Sequence, residues 1–149
     1  MAKVSAKMPD DFLKKLSLLG EKTDEITKKV LEAGGNVMLE KTKNNLERVV
    51  GHNTKNKSRS TGILVSSLGV SQVLIDSKGN SNIKIGFSEN RSDGVSNAML
   101  ANIIEYGKSN QPAKPFLAPA KKEGRKEMVE VMTKTLESEI DNLWVFWKI

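Results

Sequence analysis

A chain of 149 residues with 24 Lys and Arg against 18 Asp and Glu, for a formal net charge of +6, has the length of one domain. It has no cysteine, which excludes disulfides, thiol catalysis and cysteine-based zinc sites. Only 38% of its residues are hydrophobic and 5% aromatic, so a modest aliphatic core is expected, with no stretch apolar enough to span a membrane.

Met1–Met8 is basic but is followed by no apolar run of signal-peptide length, and it reads as a loose arm. Pro9, Asp10 and Asp11 then open a helix, with acids near the positive end of its dipole. Phe12, Leu16, Leu19, Thr23, Ile26, Val30, Ala33 and Val37 recur in steps of three and four. A second register, Leu39, Thr42, Leu46, Val49 and Val50, runs to Gly51, a suitable helix stop. Gly20, Gly34 and Gly35 interrupt this stripe. Either they divide it into two helices or they let a neighbour approach one long helix closely. The stripe fits the buried face of a globular helix more readily than a coiled coil.

The stretch from His52 to Ser60 is polar and holds the densest basic patch, Lys55, Lys57 and Arg59. It reads as a solvated loop or as a contact for phosphates or an acidic surface. Thr61–Leu68 is compatible with a short helix or a strand. Val70–Asp76 and Asn82–Phe87 read as two strands of a hairpin, turned at Ser77–Asn80, with Ile83, Ile85 and Phe87 on one face. Ser88–Gly94 is a second polar loop.

Ser96 is placed to cap a helix through Ala98, Met99, Ala101, Ile103 and Ile104 that ends at Gly107. The loop Lys108–Lys114 follows, with Lys108, Asn110 and Lys114 as candidate contacts. Phe116 and Leu117 read as core anchors on a segment stiffened by Pro115 and Pro119, and Pro119 suits the first position of a last helix running to about Asn142. The inner face of that helix is expected to carry Met128, Val131, Met132, Thr135, Leu136, Ile140, Leu143 and Trp147. Leu143–Ile149 is apolar all round and holds Trp144, Phe146 and Trp147. It reads as a docking surface for a partner or as a plug folded back on the first helix.

Catalytic signatures are missing. The one histidine, His52, has no acid or nucleophile arranged around it, and no phosphate-binding, dinucleotide or metalloprotease motif occurs. No cofactor or metal is expected. Glu105 stands out, because a negative charge at a helix C-terminus opposes the dipole. That position calls for a specific partner, such as a Lys or Arg of the fold or of a neighbouring subunit.

Two motifs carry a resemblance. Glu105-Tyr106-Gly107, a loop, then Pro115-Phe116-Leu117-x-Pro119-Ala120 before a long helix resembles the small neck and tail-completion proteins of long-tailed bacteriophages. Thr61-Gly62-x-Leu64, with Ser67 and Leu68, resembles a second element of that family. The resemblance runs from Thr61 to the last helix. It departs at Lys108 and Ala118, where members often carry Thr and Arg.

It implies a structural, non-enzymatic virion protein at the head–tail junction, assembled in the host cytoplasm. The implied partners are head-closure, tail-terminator or tail-tube proteins and further copies in a homo-oligomeric ring, with DNA nearby and no membrane. The alternative is a basic nucleic-acid-binding protein without sequence readout. Salt dependence separates the two, since phosphate contacts weaken steeply with salt. The expected fold is α+β: long N-terminal and C-terminal helices packed on a small antiparallel sheet, with a short central helix.

Overall fold

The computed structural model describes residues 10–88 and 91–146. The arm Met1–Met8, Pro9 and Trp147 lie outside the described residues. The apolar stripe of the first half forms one unbroken helix, α1 (Asp10–Val49), 40 residues long and about 60 Å from end to end. Two of its glycines are sites of close approach. A Cβ on Gly34 would stand 2.6 Å from the Met132 sulfur, and one on Gly35 3.2 Å from Ile83 Cδ1. The partner helix reciprocates, since a Cβ on Gly124 would stand 2.8 Å from the Met38 sulfur.

That partner is α4 (Leu117–Phe146), antiparallel to α1. Lys29 pairs with Glu139 at 3.0 Å and Lys41 with Glu127 at 2.9 Å. A step of 12 forward along α1 thus matches a step of 12 back along α4. Both pairs are partly exposed to solvent, so they mark register more than they hold the helices together. The seam follows Gly124, Met128 and Met132 against Gly34 and Met38. Leu136 is 41% exposed, against expectation. A single partner helix covers only a narrow stripe, and Leu136 lies to one side of it.

The C-terminal half of α1 carries the remaining elements. Thr61–Leu68 resolves as a one-turn helix, α2 (Ile63–Ser66), entered through Gly62 at φ +79°. The hairpin forms as expected but is interrupted. Its base pairs β1 (Leu68–Val70) with β4 (Ile85–Phe87), Leu68 opposite Phe87, and its tip pairs β2 (Leu74–Ile75) with β3 (Ser81–Asn82). Ser71 explains the break. Its N–H donates to the Lys84 carbonyl at 2.8 Å, but Lys84 N–H donates to the Ser71 hydroxyl at 2.9 Å. A side chain has taken a backbone position in the ladder. At the tip, Asp76 Oδ1 accepts from the N–H groups of Lys78 and Asn80, a local closure of the turn.

The core sits where α1, α2, β1, β4, α3 (Asn97–Tyr106) and the start of α4 converge. Leu46, Leu64, Leu68, Ala101 and Phe116 form one buried cluster. Phe116 is fully enclosed and meets Phe87 edge-on, with ring centroids 6.3 Å apart. The architecture is α+β, with long terminal helices on a small antiparallel sheet and a short helix between. Of the two expected anchors, only Phe116 is in the core. Leu117 is 37% exposed.

Candidate functional site

The junction between α3 and α4 is built around a carboxylate. Ser96 caps α3 as expected, its hydroxyl accepting from Met99 N–H at 3.4 Å. Asn97, Ala101 and Glu105 are buried, spaced four apart on the inner face of α3. Glu105 therefore points inward, and its partner is not a cation. Its Oε2 accepts from the N–H of Phe116 at 2.7 Å and of Leu117 at 2.8 Å, and its Oε1 from the N–H of Ala118 at 3.1 Å. These are the free N–H groups at the start of α4. Pro119, the third residue of α4 rather than the first, has no N–H to satisfy. Ala120 N–H already reaches the Phe116 carbonyl at 3.3 Å. One carboxylate thus satisfies every donor that the helix start leaves open, and the positive end of the α4 dipole favours its charge.

Burial pushes the Glu105 carboxyl up, but the N–H bonds from Leu117, Phe116 and Ala118 outweigh it, and the group rests below the usual glutamate value. The unfavourable location at the end of α3 is therefore a favourable one at the start of α4. Asn45 of α1 adds a further tie, its amide donating to the Phe116 carbonyl at 3.4 Å. Nothing in the sequence near Asn45 signals this contact.

Gly107 makes the junction compact. Its φ is +77° and its ψ −179°, an extended conformation that essentially only glycine adopts. A Cβ there would stand 2.7 Å from Ala113 N and 2.8 Å from the Gln111 carbonyl oxygen. Beyond it, Lys108 and Gln111 exchange two backbone hydrogen bonds of 2.9 Å and close a turn across Ser109 and Asn110. Tyr106 follows Glu105 and is 77% exposed. Leu117, whose N–H Glu105 holds, is also exposed. Two large apolar side chains therefore leave the clamp toward solvent.

The loop 108–114 also meets the basic loop 52–60. The Lys114 ammonium donates to the carbonyls of His52 and Asn53, tying the two loops together. Between them lies an open cavity of about 550 Å³ lined by Lys55, Lys57, Arg59, Lys108, Asn110 and Lys114, among others. Six residues from separate parts of the sequence thus share one surface. Trp144 stands apart from it, near the C-terminal end of α4 and 37% exposed, with Val145 more open. Phe146 is the last residue of α4. Of the second motif, Thr61 is exposed, Leu64 is in the core, and the Ser67 hydroxyl donates to the Leu64 carbonyl at 2.8 Å. Pro115 is exposed, and Ala120 is fully buried.

Among the described residues, no helix is long and apolar enough to cross a membrane. A family model described as "Bacteriophage HK97-gp10, putative tail-component" matches residues 10–107, which include α1, the hairpin and α3. Comparison with curated proteins and with solved structures gave no match. The matched span covers most of the chain, and the chain belongs to the HK97-gp10-like family of phage tail components. Its place is accordingly the virion, among other tail and neck proteins.

Proposed function

We propose that this tail component acts in tail completion and head–tail joining, by docking onto neighbouring neck and tail proteins rather than by catalysis. The observation that carries the proposal is the Glu105 clamp. Three backbone bonds to one carboxylate fix the start of α4 against α3. Tyr106 and Leu117 are thereby offered to a partner in a preset geometry. Exposed aromatic residues on rigid supports are favoured as binding anchors, since little ordering remains to be done on contact. The aromatic end of α4 at Trp144 and Phe146 offers a second anchor. Repetition of such contacts around a homo-oligomeric ring would multiply their strength.

Joining of purified heads and tails, counted by electron microscopy, tests the proposal. Tyr106→Ser should lower the joined fraction at least tenfold without moving the melting temperature. Joining by Tyr106→Ser at the wild-type level would remove this surface from the proposal. Light scattering at low and high salt tests the second anchor. An oligomer that persists in salt and falls to monomer when the chain is cut after Asn142 supports docking through the α4 end.

A further inference from the structure

We propose that the cavity between the loops 52–60 and 108–114 binds the phosphodiester backbone of duplex DNA without reading its sequence. Five cations line it, Lys55, Lys57, Arg59, Lys108 and Lys114, and no Asp or Glu does. Removing these five from the chain's 24 Lys and Arg leaves 19 against 18 acids, so nearly all the net charge of +6 sits at this cavity. Elsewhere lysines are interleaved with acids along the sequence, and among the described residues three of them, Lys22, Lys29 and Lys41, pair with a glutamate. Arg91 and Asp93, in the adjoining cavity, pair with each other at 3.2 Å. Among the described residues, Lys55, Lys57, Arg59 and Lys108 enter no ion pair. Lys114 instead holds the two loops together through the carbonyls of residues 52 and 53.

The chemistry of the walls selects phosphate over an acidic protein surface. Apart from Pro112, the lining residues are cations and the short hydroxyl and amide side chains that contact phosphate oxygens. A protein interface needs buried aromatic or aliphatic anchors at its centre, and this cavity has none. It also presents no aromatic ring for stacking a base and no helix for a groove, so contact with the backbone alone is expected. The site is separate from the apolar surface at Tyr106 and Leu117, and it does not depend on the docking role.

Fluorescence anisotropy with two short labelled duplexes of unrelated sequence tests the assignment. Four unpaired cations predict a slope of log K against log salt of about −3.6, or about a hundredfold weakening for a fourfold rise in salt. Both duplexes should bind equally. Lys55→Gln/Lys57→Gln should flatten the slope by about 2 with an unchanged melting curve, because both side chains are exposed. Lys121→Gln/Lys122→Gln, exposed on α4, should leave the slope as it is. Three results overturn the proposal. One is no binding at low salt. Another is equal loss in the α4 variant, which would mean diffuse surface charge. The third is displacement by polyglutamate as effective, charge for charge, as displacement by unlabelled DNA. None of these bears on whether Tyr106 supports joining.

Discussion

Replacing Glu105 with Gln keeps the size of the side chain and one carbonyl acceptor but removes the charge and the second acceptor. Three N–H groups at 2.7, 2.8 and 3.1 Å then face one neutral oxygen and an NH₂ group that repels them. Breaking one hydrogen bond to a charged group costs about 1.5–3 kcal/mol, and losing a helix N-cap about 0.5–2 kcal/mol. These overlap, since they count the same bonds. Leu117 and Ala118 are exposed enough for water to replace their partner, whereas Phe116 is fully buried. The expected loss is therefore about 2 kcal/mol for Glu105→Gln and about 3 kcal/mol for Glu105→Ala, which strips all three donors. In a chain of this length, about 2 kcal/mol lowers the melting temperature by about 4–8 °C. The pH dependence follows from the depressed carboxyl. Its folded value lies below the unfolded value of about 4.3. The stabilisation is thus complete above about pH 4.3 and fades as the pH falls through the folded value. Melting curves should show a constant gap between wild type and Glu105→Gln from neutral pH to about 5, closing below about 4. Equal melting temperatures at neutral pH, or a gap that persists in acid, would refute the clamp.

Gly107→Ala should destabilise by about 2 kcal/mol or more, since positive φ with extended ψ costs about 1–3 kcal/mol and the new methyl meets backbone atoms that cannot turn aside. Urea denaturation would measure this, and a neutral result would mean the junction can open. Two α1 glycines should respond with opposite sign. Gly20→Ala, with nothing within 4 Å of its Cβ, should gain about 0.5–1 kcal/mol. Gly34→Leu should lose about 1–3 kcal/mol by overpacking against Met132. Phe116→Ala should cost about 3–5 kcal/mol, with loss of cooperative melting as the readout.

Elements with internal periodicity were legible in the sequence, and contacts between distant backbones were not. The length of α1 followed from a stripe whose glycines could divide it or admit a neighbour, and only the position of Met132 and Ile83 decided for approach. The hairpin and its turn were visible in alternating Ile83, Ile85 and Phe87. Its interruption was not, because a serine hydroxyl competes for the ladder only when Lys84 lies opposite. Leu117 looked as apolar as Phe116. Phe116 is the last residue before α4 and Leu117 the first within it, so their side chains leave the chain in different directions, and only Phe116 enters the core. The location of Glu105 was a detectable anomaly, yet a search for a cation was the wrong search. Its partners are main-chain donors 11 to 13 residues away, invisible to any reading of side-chain types.

Two charged side chains fix the segment between α3 and α4 by the same means, each holding backbone rather than another side chain. Glu105 takes the donors at the start of α4, and Lys114 donates to the carbonyls that follow α1. Each charge is matched to the polarity of the chain it meets. The segment between them carries Lys108 toward the basic cavity, and Tyr106 and Leu117 flank it on the clamp. One short stretch therefore sets the placement of an apolar surface and of a cationic one. The two must answer differently to salt, because burial of Tyr106 involves no counterion release and contact at Lys55, Lys57 and Lys108 does. Raising the ionic strength should separate them in wild-type protein, weakening DNA contact while leaving joining intact. Loss of both together in salt would mean that the apolar surface is not an independent anchor.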